Sequence, residues 1–119
     1  MKRIRCYLVG LGNVNRSFLR ILEIKGERLR RAYGLAFRVV ALADSSGVAV
    51  AAAGFDPAAI RQAKEAGRPV RDLPGYQPGV SPAALMETLA CDLVLEASPV
   101  NLQTGEPGLS VARAALRRG

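Results

Sequence analysis

The chain contains no histidine and only two cysteines. The first absence removes the commonest general base and the commonest metal ligand, and two cysteines far apart in sequence offer no ligand set for zinc. Ser98 correspondingly has no histidine to activate it by the triad route. Long apolar runs are missing too: none approaches the roughly 20 residues that a membrane helix requires, so no membrane partner is expected. The basic start, Met1-Lys2-Arg3, leads into a short strand-like run interrupted by Arg5 and then into glycines, without the apolar core and small-residue cleavage site of a signal peptide. A cytoplasmic location is expected. Cys6 lies within a predicted strand and Cys91 at the entrance to another, and both read as reduced, small buried hydrophobes rather than as a disulfide.

Acidic residues are also scarce. Ten Asp and Glu face seventeen Lys and Arg, a net charge of +7. Such a balance permits nucleic-acid binding, because phosphate contacts dominate that affinity. The cations, all arginine except Lys2, Lys25 and Lys64, are however scattered along the chain without a basic and aromatic block or a nucleic-acid module. No nucleic-acid partner is therefore expected. The arginines read as a solvated surface that pairs locally and assists an anionic cofactor.

What is present is one globular domain. At 119 residues, half of them apolar and just under a quarter charged, the chain is long enough to bury a core and short for a two-domain enzyme. Its most informative stretch is the beginning. An apolar run from Ile4 to Val9 flows into Gly10-Leu11-Gly12-Asn13-Val14-Asn15 and then into a long amphipathic segment, the order of strand, glycine turn and helix. In a dinucleotide-binding unit the first glycine makes the tight turn, the second lets the backbone approach a pyrophosphate, and the helix aims its free N–H groups at the anion. Asn15 stands where a third glycine would allow close helix-to-strand packing. Its side chain is expected either to hold the helix farther from the sheet or to turn its amide toward the ligand.

The first helix is expected from Asn13 to Tyr33, with Val14, Phe18, Ile21, Leu22, Leu29 and Tyr33 on the packed face and Gly34 as its stop. Phe37 to Ala43 reads as a strand covered on both faces and ends on Asp44, an acid placed to hold an adenosine ribose or else to form a turn with Ser45. If it holds the ribose, its charge disfavours a 2′-phosphate and NAD is preferred over NADP, a preference that Ser45, Ser46 or Arg38 could soften. Val48 to Ala53 reads as a short strand or hairpin arm. Asp56-Pro57 opens a helix through Ala66, Gly67 to Val80 reads as a surface excursion rich in Gly and Pro, and Ser81-Pro82 starts a helix through Ala90 that buries Leu85, Met86 and Leu89. Asp92 to Ala97 is a third strand, with Glu96 as a candidate buried carboxylate. It delivers Ser98-Pro99-Val100-Asn101 to the carboxyl edge of the sheet, where ligands of open α/β sheets bind. Asn101 is a candidate for holding the nicotinamide carboxamide, or a turn residue. A last helix is expected from Thr104-Gly105-Glu106-Pro107 to the arginines before Gly119. The fold class expected is α/β, a Rossmann-like, doubly wound, mostly parallel sheet with flanking helices.

Taken together, Gly10-Leu11-Gly12-Asn13-Val14, the helix through Lys25-Gly26-Glu27 and Tyr33-Gly34, the segment Ala43-Asp44-Ser45-Ser46-Gly47, and Glu96-Ala97-Ser98-Pro99-Val100-Asn101 with Thr104-Gly105-Glu106-Pro107 closely resemble the NAD(P)-binding domain of homoserine dehydrogenases. The resemblance covers nearly the whole chain, and its last block is the more diagnostic part. It implies an oxidoreductase that interconverts L-aspartate 4-semialdehyde and L-homoserine with NAD or NADP, on the route to threonine and methionine. It implies further that Gly10, Gly12, Asn13, Val14 and Asn15 hold the pyrophosphate, Asp44 and Ser45 the adenosine ribose, and Ser98, Pro99 and Asn101 the nicotinamide end. Asn15 replaces the family's usual glycine and Ser98 its usual threonine. The family's next strand, with its Asn-Lys pair, and its substrate domain with a second catalytic lysine have no counterpart here, and Lys2, Lys25 and Lys64 do not match those positions. The chain is thus expected to bind cofactor without turning over alone, as a fragment, a truncated product or one piece of a split enzyme, meeting a separate substrate domain or another copy of itself. The alternative is a dinucleotide-sensing or interaction module that kept the fold without the chemistry.

Overall fold

Burial makes the opening strand an inner strand of the sheet. In the computed structural model, which describes residues 2–97, β1 (Lys2–Val9) begins exposed and ends in four consecutive buried residues, Cys6, Tyr7, Leu8 and Val9. Alternate side chains point to opposite faces of a strand. Cys6 and Leu8 accordingly join one core cluster with Leu19, Val39, Leu42, Ile60 and Ala63, while Tyr7 and Val9 join another with Ala41, Ala43, Val48, Leu85, Met86 and Leu89. The first cluster lies under the helices α1 (Asn13–Tyr33) and α2 (Pro57–Glu65), the second under α3 (Pro82–Thr88). Helices therefore cover both faces.

The sheet has five strands in the order β4-β3-β2-β1-β5. β2 (Leu35–Asp44) and β5 (Leu93–Glu96) run parallel to β1 on either side of it. β3 (Gly47–Val50) turns straight back along β2 as an antiparallel hairpin arm, and the two-residue β4 (Tyr76–Gln77) pairs antiparallel with β3. The Rossmann-like α/β architecture is as expected, with a mixed sheet whose outer half is antiparallel.

Local signals explain most boundaries. α1 spans the predicted residues and stops at Gly34 in the left-handed conformation, with its N–H bonded back to the carbonyls of Arg30 and Leu29. The Asp56 side chain caps α2 through the Ala58 amide, Ser81 caps α3 through Ala84, and both helices carry proline in the first turn. Leu85, Met86 and Leu89 are buried as expected.

Three expectations are corrected. The packed stripe of α1 runs through Asn15 and Leu19, flanked by the partly buried Phe18 and Leu22, whereas Val14, Ile21 and Tyr33 are exposed. The segment from Gly67 to Val80 is more than a surface excursion, because a 3-10 turn at Val70–Asp72 buries Val70 completely, Leu73 is buried behind it, and β4 follows. Glu96 is exposed and does not form a buried carboxylate. Neither cysteine is in a disulfide among the described residues, and burial pushes the Cys6 thiol up to about 11, in keeping with an inert packing role. No helix among the described residues is long and apolar enough to cross a membrane.

Candidate cofactor-binding site

β1 is flanked by β2 on one side and β5 on the other, and ligands of open α/β sheets bind at the carboxyl ends of strands where such an order reverses. The glycine turn sits at that edge, between the end of β1 and the start of α1. Gly10 has φ 84°, a conformation that favours glycine, and its N–H donates to the Ala43 carbonyl at 2.8 Å, tying the turn to the end of β2. From the other side, the Ala97 N–H donates to the Val9 carbonyl at 2.8 Å, which brings the exit of β5 beside the turn.

Gly12 is the N-cap residue of α1. No side chain caps this helix, and its first turn carries no acid. The first backbone donor bonded within the helix is Arg16, to the Gly12 carbonyl at 3.0 Å, which leaves the amides of Asn13, Val14 and Asn15 as the orphan donors of a helix start. A Cβ built at Gly12 would meet nothing within 4 Å. Among the described residues no packing requires glycine there, which leaves room for close approach by an outside group. A bare approach, free N–H groups and the positive end of the helix dipole fit a diphosphate.

Asn15 is buried, and its side-chain amide is not turned outward toward a ligand. The amide nitrogen is aimed into the sheet, donating to the carbonyls of Gly10 at 2.7 Å, Leu95 at 3.1 Å and Val9 at 3.2 Å. It locks the turn, the helix and β5 together, and only its backbone N–H remains for a ligand.

Asp44 is equally committed. Oδ1 accepts from the amide of Ser46 at 2.8 Å and from the Ser46 hydroxyl, and Oδ2 accepts from Lys64 Nζ at 2.8 Å and the Val70 amide at 2.9 Å. These four donors fill the acceptor sites of a carboxylate. Burial pushes the Asp44 carboxyl up, but the bonds from Lys64, Ser46 and Val70 outweigh it and hold it below the ordinary aspartate range. The acid stands where the sequence placed it, at the end of β2, as the centre of a cluster rather than as a free acceptor. Ser45 and Ser46 lie in the β2–β3 turn beside it. Arg38, expected near this edge, lies instead in the amino-terminal half of β2, six residues before Asp44.

Two cations near the site were not singled out from the sequence. Lys64 reaches Asp44 from α2. Arg16, one turn into α1, donates to Asn13 Oδ1 at 2.8 Å and keeps a buried Nε without a partner among the described residues. With Asn13, Ser17, Arg20, Arg61 and Glu65 it lines a cleft of about 230 Å³ along the start of the helix. Arg61 is held there by Glu23, through a two-pronged contact, and by Glu65 at 3.0 Å. The i, i+3 spacing of Asn13 and Arg16 was the available signal for the first cation. Lys64 had none, because its approach to Asp44 depends on how α2 packs. Ser98, Pro99 and Asn101, and the helix expected after Thr104, lie outside the described residues.

No family model matches the chain. It is 31% identical over 100 residues to the homoserine dehydrogenase of Methanocaldococcus jannaschii, an overlap of 84% of this chain and 30% of that protein. It is 27% identical over 120 residues to the NAD(+)-dependent homoserine dehydrogenase of Pseudomonas canavaninivorans, covering all of this chain and 34% of that one. Among solved structures, a hyperthermophilic archaeal homoserine dehydrogenase in complex with NADPH superposes with a TM-score of 0.77 at 21% identity, over 99% of this chain and 34% of the other. The chain thus spans about a third of the length of these relatives. On its sequence and its mixed five-stranded sheet, it is a homologue of the homoserine dehydrogenases and shares the fold of their Rossmann-like domain.

Proposed function

We propose that this chain is the dinucleotide-binding part of a homoserine dehydrogenase-like oxidoreductase, one that interconverts L-homoserine and L-aspartate 4-semialdehyde in the synthesis of threonine and methionine. The observation that carries the proposal is the uncapped start of α1 behind an open Gly12, set at the carboxyl end of β1 beside β5. In this reading the amides of Asn13, Val14 and Asn15 hold the two phosphates, and Arg16 adds a positive charge beside them. The adenosine ribose meets the edge formed by Asp44, Ser45, Ser46 and Lys64, while Ser98, Pro99 and Asn101 face the nicotinamide end.

A bound nicotinamide cofactor supplies the hydride, and the protein supplies position and a proton path. The alcohol-to-aldehyde step needs a proton donor and acceptor beside the substrate. In our reading, the remaining two thirds of the relatives' length provides that group, so this chain binds cofactor but does not turn over alone. The ion pair to Lys64 offsets the charge of Asp44, which removes the ground for excluding a 2′-phosphate. Both NAD and NADP are therefore accommodated. An NADPH-bound structural neighbour and an NAD(+)-dependent relative support that reading.

The test is calorimetric titration of the purified chain with NAD, NADP and their reduced forms, beside the variant Gly12→Val. Gly12 has an ordinary negative φ and open space around it, so the variant should keep the fold and lose the ligand. Saturable binding abolished by this substitution is the expected result. A folded wild-type chain that binds none of the four would refute the proposal.

A further inference from the structure

The cleft along the start of α1 has two walls. Asn13, Arg16, Ser17 and Arg20 form one, and Arg61 and Glu65 on α2 form the other. The four α1 residues stand at i, i+3, i+4 and i+7, which is a single face of a helix. Both sides of the cleft adjoin the proposed cofactor site. Asn13 supplies the first free amide of the helix start, and one turn beyond Arg61 along α2, Lys64 reaches Asp44 at 2.8 Å.

The acids of this cleft are already paired, whereas two of its cations are not. Arg61 donates to both carboxylate oxygens of Glu23 and to both of Glu65. Arg16 bonds to Asn13 Oδ1, and its Nε meets no acceptor among the described residues. The side chains of Ser17 and Arg20 hydrogen-bond to nothing among the described residues, and Arg20 acts on Glu23 only through space.

An N–H short of an acceptor is costly where water is excluded. The α1 wall thus offers two guanidinium groups and a hydroxyl to a strong, charged acceptor. Phosphate oxygens match that need, because arginine donates to them in charge-assisted, geometrically fitted pairs. Arg20 starts about 10 Å beyond Asn13 along the helix axis. Side chains of a helix lean toward its N-terminus, so its guanidinium reaches back toward the end where the diphosphate is placed.

We infer that this cleft receives the 2′-phosphate of NADP, and that Arg20, with Arg16 and Ser17 beside it, is the residue that separates NADP from NAD. The inference rests on the dinucleotide reading above. With the diphosphate on the amides of Asn13 to Asn15 and the ribose at the Asp44 edge, the cleft is the opening between them. NADP is then the tighter ligand of the two.

The test titrates NAD and NADP calorimetrically into the 119-residue chain and into two variants. One is Arg20→Gln, at an exposed position where the fold should be kept. The other is Arg71→Gln, at a residue whose backbone amide bonds Ser46 Oγ at the ribose edge. Arg20→Gln should weaken NADP by about tenfold and leave NAD unchanged, while Arg71→Gln should alter neither. Adenosine 2′-monophosphate, followed by amide chemical shifts, should give saturable shifts at Ser17 and Arg20 that disappear in Arg20→Gln. Unchanged NADP affinity in Arg20→Gln would overturn the inference, as would an equal loss of NAD, or an NADP loss that Arg71→Gln carries instead. A wild-type chain that binds neither dinucleotide defeats the dinucleotide reading, and adenosine 2′-monophosphate then reads the cleft by itself: unmoved Ser17 and Arg20 amides would show that it holds no phosphate.

Discussion

The side-chain amide of Asn15 stands 3.1 Å from the carbonyl of Leu95, joining the first turn of α1 to a strand 80 residues further along the chain. A residue in the slot of a third glycine thus serves as a bracket between the turn, the helix and β5. The Asn15→Leu chain should lose about 2 kcal/mol of stability, since the carbonyls it now serves would be buried beside an apolar group. Urea unfolding measures this, and an unchanged midpoint would show that the bracket contributes nothing.

Removing Lys64 should change which cofactor is preferred. In Lys64→Ala, Asp44 loses the cation that offsets its charge, and the uncompensated carboxylate repels a 2′-phosphate. The ratio of NADP to NAD affinity is expected to fall by about tenfold, equivalent to about 1.4 kcal/mol. Paired titrations of the two cofactors read the ratio directly. A ratio that stays put would mean that this edge does not meet the adenosine ribose.

Acid should loosen the join between β1 and the entry to β5. The Arg5 guanidinium and the Arg5 backbone amide hold the Asp92 carboxyl down to about 2. A depressed folded-state value means that the contribution is complete above the unfolded value near 4 and is lost as pH falls through the folded one. Stability should therefore decline between about pH 4 and pH 2, and Asp92→Asn should flatten that part of the curve. Thermal midpoints across this range for both chains provide the measurement.

Tyr7 offers a test of the α3 face. Its hydroxyl donates to the Pro82 carbonyl at 2.9 Å from a buried ring. Tyr7→Phe keeps the ring and removes the donor, for an expected loss of about 1 kcal/mol, again by urea unfolding. Because Pro82 opens α3, the amides of that helix should also exchange faster with solvent.

Legibility followed the range of the forces. The glycine turn, the bounds of α1 and the proline-led starts of α2 and α3 are written in neighbouring residues, and the sequence reading located them. The packed face of α1 was not, because Val14, Ile21 and Tyr33 have the spacing of a core stripe while the sheet in fact meets Asn15 and Leu19. A buried asparagine is invisible to hydrophobic periodicity. The burial of Val70 in a Gly- and Pro-rich stretch, like the bonds from Lys64 and Val70 to Asp44, depends on partners 20 or more residues away. The position of the acid was legible from the sequence, but its saturation was not.

The β4 flank of the sheet consists of Tyr76 and Gln77 alone, with glycines on either side at Gly75 and Gly79. So short a ladder gives an incoming strand almost no backbone to grip. Among the described residues the other flank is β5, whose four residues give a longer ladder for an added strand. Growth there would extend the edge at which the glycine turn sits, and oligomerisation by strand addition would then be felt at the cofactor.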